Sequence, residues 1–110
     1  MIQEQGNKKI EALLEAVKKD FNAEEVIAHL KEIREIARAE RNPALVKICR
    51  LAYTYIEENG HFDIEFLDEE EGLDMSDFEY LLELMIHSDR EANLQEIREI
   101  RDLLTEELYG

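Results

Sequence analysis

The stretch Asn42–Gly60 constrains the fold more than any other part of this chain. Asn42-Pro43 is a helix-opening pair, with Asn as the cap and Pro at the first helical position, where its missing N–H costs nothing. Gly60 supplies a C-terminal stop. Between them, Leu45, Val46, Ile48, Cys49, Leu51, Ala52, Tyr53, Tyr55 and Ile56 cover roughly 220° of a helical wheel. Lys47, Arg50, Thr54, Glu57 and Glu58 make the remaining polar stripe. A helix so apolar needs neighbours on several sides, so the segment predicts the centre of an all-α core.

The flanking sequence supplies those neighbours. Ile10, Leu13, Leu14, Val17 and Phe21 recur at helical spacing, with Asn7 as the expected cap and Lys18 and Lys19 suiting the C-terminal dipole. Asn22 with Glu25 forms a capping box that opens a second helix. Val26, Leu30, Ile33 and Ala37 line its buried face, flanked by Ile27 and Ile36. Ser76 with Glu79 opens a fourth helix through about His87. Asn93 with Glu96 reads as one more box, opening a fifth along Leu94, Ile97, Ile100, Leu104 and Leu108. The expectation is one domain over 1–110: a bundle of about five helices, arranged as an N-terminal helix and two hairpins joined by an acidic connector at 60–76. In that connector Phe62, Ile64 and Phe66 alternate with Asp63 and Glu65, so it reads as an extended segment pinned by its apolar side chains. The pentapeptide Glu-Ile-Arg-Glu-Ile occurs at 32–36 and 96–100. No sustained period accompanies it, and generic helical composition accounts for the match.

Charge is as unevenly distributed as hydrophobicity. The net charge is −15, yet residues 1–55 hold ten Lys/Arg against nine Asp/Glu, whereas residues 56–110 hold three against nineteen. Leu51 to Asp89 contains no Lys or Arg and thirteen carboxylates. Such segregation steers encounters with oppositely charged partners. Basic residues gather instead on helix two, as Lys31, Arg34, Arg38 and Arg41, with Lys47 and Arg50 following. A phosphate-binding stripe is one reading of them. The strongly acidic balance weighs against nucleic acid and favours pairing with nearby Glu or with an acidic half.

Reactive chemistry finds little support in the spacing. Setting Gly72 or Gly60 at the sixth position of a calcium loop puts Phe78 or Phe66 where the bidentate carboxylate belongs. The Glu-x-x-His pattern of di-iron bundles is absent, since Val26 and Leu84 precede His29 and His87 by three residues. Cys49, the lone cysteine, sits mid-face among apolar residues rather than in a cationic, exposed setting, and excludes an intrachain disulfide. No phosphate-cradling loop or catalytic constellation can be assembled, so the chain reads as a non-enzyme without metal or cofactor. No apolar run reaches the length of a membrane span and no signal-peptide core opens the chain, from which a cytoplasmic protein is expected.

Read together, these features predict a non-catalytic acidic helical protein that binds a basic protein partner in an inhibitory, immunity or chaperone-like role. Asp63, Glu65, Asp68, Glu69, Glu70, Glu71, Asp74 and Asp77 form its expected binding residues, with Tyr80 as an aromatic anchor. In size, helicity and charge the chain is similar to the small acidic immunity proteins that neutralise basic nuclease toxins, a likeness of type that assigns no residue a role. The alternative is a structural or self-assembling helical module whose acidity serves solubility, including a homodimer that pairs the basic stripe with the acidic half. On helix four, Tyr80 and Leu84 lie opposite the core face, and the connector is expected to fold over them.

Overall fold

The computed structural model describes residues 2–65 and 75–110, with side chains from Gly6 onward. It is all-helical over those residues: α1 (Ile2–Lys19), α2 (Ala23–Ala39), α3 (Pro43–Asn59), α4 (Asp77–Ile86) and α5 (Glu91–Tyr109). The helices pack in a closed circuit, α1 on α2, α2 on α3, α3 on α5, α5 on α4 and α4 back on α1. The α2–α3 hairpin has the most extensive packing.

Local chemistry explains most boundaries. The Asn22 side chain accepts from the Glu25 amide at 3.2 Å, and the Ser76 hydroxyl from the Glu79 amide at 3.2 Å. Each satisfies a donor that the first helical turn leaves without a partner. Asn42 serves two helices. Its amide reaches back to the Ala37 carbonyl at 2.9 Å and closes α2, while its Oδ1 accepts from the Leu45 amide at 3.3 Å and opens α3. This termination places Arg41 at φ 58, the left-handed position that usually favours glycine. Gly60 ends α3 at φ 79, with its amide on the Ile56 carbonyl.

Two helix starts differ from the sequence expectation. Asn7 does not cap α1, which begins at Ile2; Gly6 is already buried in the helix, where a Cβ would lie 3.5 Å from Ile36 on α2. Packing against α2 has carried the helix past a polar residue that could have stopped it. Nor do Asn93 and Glu96 form a capping box: α5 opens at Arg90, which makes no side-chain cap bond. Both side chains are turned to α4 instead. Asn93 Nδ2 donates to the Leu84 carbonyl at 3.3 Å, supplying a partner to one of the last carbonyls of α4, and Glu96 accepts from the Tyr80 hydroxyl at 2.7 Å.

The core runs through all five helices and includes Ile64 from the segment after α3. Seven residues of α3 are buried, from Leu45 to Ile56, where α2, α5 and this segment meet it. Phe62 stacks between Tyr55 of α3, at 5.6 Å between ring centroids, and Phe78 of α4, at 4.9 Å. Phe78 in turn meets Phe21 edge-on at 5.8 Å, just beyond α1. The beginning of the connector is thus pinned as expected, whereas Phe66 lies outside the described residues.

Leu51 and Ile56 are each 1% exposed. Truncating either to Ala should cost about 2–5 kcal/mol in chemical denaturation, from lost burial and the cavity left behind. Losses below about 1 kcal/mol at both positions would mean that α3 is not central.

Candidate interaction surface

The residues expected to bind a partner begin where α3 ends. Gly60 turns the chain, Phe62 and Ile64 face inward, and Asp63 and Glu65, which alternate with them, are exposed. Alternation along an extended segment produces that arrangement. Asp63 accepts a hydrogen bond from the Tyr55 hydroxyl, and His61 Nδ1 lies 3.7 Å from the same carboxylate. This contact ties the connector to α3. Asp63 as acceptor, with burial second, pushes the Tyr55 phenol up to about 12, and the nearby charge of Glu107 adds to the effect.

Asp77, the first residue of α4, is half-buried. Tyr80 is half-buried with its hydroxyl held by Glu96 of α5, and Leu84 is 5% exposed with its carbonyl held by Asn93. Among the described residues α5 supplies a hydrogen-bond partner to each of this pair; the middle of the connector lies outside them. Asp68, Glu69, Glu70, Glu71 and Asp74 lie outside the described residues.

Sequence reasoning passed over α5 as a contributor. Glu96, Glu99, Leu103 and Glu107 recur at i, i+3, i+7 and i+11, one stripe along the helix. Leu103 is 40% exposed, one of two large apolar side chains left open to solvent among the described residues. Two shallow hollows flank it. One is lined by Tyr80, Glu96, Glu99 and Ile100 beside Leu103; the other by Tyr55, Asp63, Ile64, Glu65 and Glu107 beside the same leucine. No Lys or Arg lines either hollow. Among the described residues Glu65, Glu99 and Glu107 form no ion pair, while Arg101 is turned to Asp102 at 3.0 Å. Asp63 and Glu65 thus share one face with the carboxylates of α5, around exposed Leu103. The spacing on α5 was available in the sequence; its placement beside Asp63 and Glu65 arises from packing.

Three residues of the basic stripe are engaged within the fold, one of them with the acidic half. Lys31 pairs with Glu57 at 3.3 Å, and Arg34 and Arg38 both reach Glu35, at 3.2 and 3.5 Å. Arg38 and Arg41 border a shallow depression floored by Pro43 and Val46 at the α2–α3 turn. Cys49 is fully buried, and burial pushes its thiol up to about 12. A thiolate nucleophile at neutral pH is incompatible with that environment. Among the described residues no three His, Cys, Asp or Glu are grouped so as to hold a metal ion, and no helix is long and apolar enough to cross a membrane.

Comparison with protein-family models, with curated proteins and with solved structures finds no match to this chain.

Two measurements check these environments. A thiol reagent should label Cys49 slowly in the native protein and rapidly once it is unfolded; fast native labelling would overturn the burial. In an alkaline titration followed by tyrosinate absorbance, a late-ionising component should be lost in Tyr55→Phe. Because the folded phenol ionises above its unfolded counterpart, its contribution to stability is full below about pH 10 and is lost as pH rises toward 12. Tyr55→Phe should remove that part of the alkaline loss.

Proposed function

We propose that this protein is a non-catalytic interaction protein that presents an acidic face to a basic protein partner. The observation that carries the reading is the joint face of the connector and α5: Asp63, Glu65, Glu96, Glu99 and Glu107 around exposed Leu103, with no Lys or Arg lining its hollows. Glu96 and Asp63 already accept from the Tyr80 and Tyr55 hydroxyls, whereas Glu65, Glu99 and Glu107 are exposed and form no ion pair among the described residues, which suits them to an incoming cation. A field of one sign raises the rate of productive encounter, and an apolar contact at its centre adds hold once the partner has arrived. The run Asp68–Glu71 begins three positions after Glu65 in the sequence and adds four carboxylates. A second reading, self-assembly, draws on the basic depression beside Arg38 and Arg41, which has the complementary sign.

Replacing Asp68, Glu69, Glu70 and Glu71 by their amides removes four charges and nearly preserves shape. With the native and amide proteins as parallel baits in a host lysate, basic proteins should be retained by the native bait at low salt and released at high salt. The amide bait should retain less, with a flatter salt dependence. Stability should hold within about 0.5 kcal/mol per substitution, as for solvated side chains. Equal, equally salt-sensitive retention by both baits would reduce the run to solubilising surface. Concentration-dependent sedimentation of the protein alone would favour self-assembly.

A further inference from the structure

The depression at the α2–α3 turn is built differently from the acidic face. Pro43 and Val46 floor it, and Arg38, Arg41 and Asn42 border it, so apolar surface lies beside two guanidinium groups. Arg38 reaches Glu35 at 3.5 Å, a weak pairing because both side chains are largely open to water. Among the described residues the Arg41 guanidinium makes no hydrogen bond or ion pair. Arg41 nevertheless holds φ 58, a conformation that glycine would adopt with less strain. Its amide on the Arg38 carbonyl at 3.1 Å, and the Asn42 amide on the Ala37 carbonyl at 2.9 Å, fix the turn from which the side chain projects. Such a hollow suits an apolar or aromatic group that carries a carboxylate beside it.

The same chain presents that combination. Tyr109, in the last turn of α5, is 64% exposed, the more open of the two large apolar side chains left in solvent among the described residues. Glu106 lies three residues before it and shares its side of the helix. Glu106 is exposed and forms no ion pair among the described residues. The Tyr109 ring can cover Pro43 and Val46 and offer its face to a guanidinium while its hydroxyl stays in water. The Glu106 carboxylate matches the planar fork of the other arginine.

One molecule cannot fill its own depression. Asn42 donates to the Ser88 hydroxyl at 3.4 Å, which brings the start of α5 to the start of α3. Tyr55 shares a hollow with Leu103 and Glu107, which brings the end of α5 to the end of α3. The two helices therefore run in the same direction. The depression and Tyr109 lie at opposite ends of this pair, separated by the length of α3, about 25 Å at the usual helical rise.

We propose that the depression takes the last turn of α5 from a second copy of this chain, with Tyr109 on Pro43 and Val46 beneath Arg41 and Glu106 on Arg38. The inference rests on the self-assembly reading and uses a surface that the basic-partner reading does not need. A net charge of −15 makes two copies repel at a distance, so the contact forms best where salt screens that repulsion and leaves the close opposite charges in place.

The test is sedimentation of the full chain at about 0.15 M salt, where screening acts over roughly 8 Å, from micromolar to millimolar protein. Association should rise with concentration. Tyr109→Ala and, separately, Arg41→Gly should each weaken it about tenfold, the loss of one anchoring contact. Arg41→Gly relieves the turn, so its thermal midpoint should not fall, and lost association cannot then be ascribed to unfolding. Mixing identifies a head-to-tail contact. The Arg41→Gly protein keeps its Tyr109 and the Tyr109→Ala protein keeps its depression. At a concentration where each alone is monomeric, the equimolar mixture should recover one contact and stop at two copies. Native association that neither substitution weakens would overturn the inference and leave self-assembly standing, as would variants that stay apart when mixed. A native chain that remains monomeric throughout would overturn the inference and the self-assembly reading together.

Discussion

The apolar circumference of α3 is the constraint to which the other elements answer. A helix with one apolar face needs one neighbour, and helix propensity alone rarely holds it in water. With Leu45, Ile48, Cys49, Leu51, Ala52, Tyr55 and Ile56 all buried, α3 requires cover from more than one direction. Helix α2 provides it on one side, α5 on another, and Phe62 and Ile64 close the gap near its C-terminus. Helices α1 and α4 then complete the circuit by packing on each other and on these two. The candidate face is a by-product of this demand. Covering α3 brings α5 beside Asp63 and Glu65, and carboxylates distant in sequence come to share one surface.

Legibility from sequence divides along the same line between local and tertiary causes. Asn22, Asn42, Ser76 and Gly60 perform the boundary roles their types and neighbours suggest, because a cap is completed within a few residues of itself. The buried set of α2, Val26, Leu30, Ile33 and Ala37, follows directly from spacing. Asn93 and Glu96 mislead because the same side chains that could cap a helix make bonds to α4, a use that only three-dimensional proximity reveals. Asn7 misleads for a related reason: contact with α2 favours continued helix over a local stop.

The candidate surface was legible in part. Clustering of charge along the chain pointed to Asp63 and Glu65, and both are exposed. It could not point to Glu96, Glu99, Leu103 and Glu107, since a carboxylate stripe on α5 is unremarkable until the helix is known to lie beside the connector. Tyr80 illustrates the converse. As a residue off the core face of α4 it suggested an open aromatic anchor, yet its hydroxyl is held by Glu96, so it helps to orient a wall of one hollow.

The aromatic chain Phe21, Phe78, Phe62 and Tyr55 bears on the order in which the molecule assembles. The α2–α3 hairpin unites neighbouring segments across a turn of a few residues, and its loop-closure entropy is small. Closing the circuit requires α1 to meet α4, with α2 and α3 lying between them in sequence, and the rings of Phe21 and Phe78 mark that seam. Contacts over such separations are slower to form and are lost as a unit when they open. By that argument an amide-exchange map should divide the molecule at the seam between α1 and α4, with Phe62, held between Tyr55 of α3 and Phe78 of α4, at its edge.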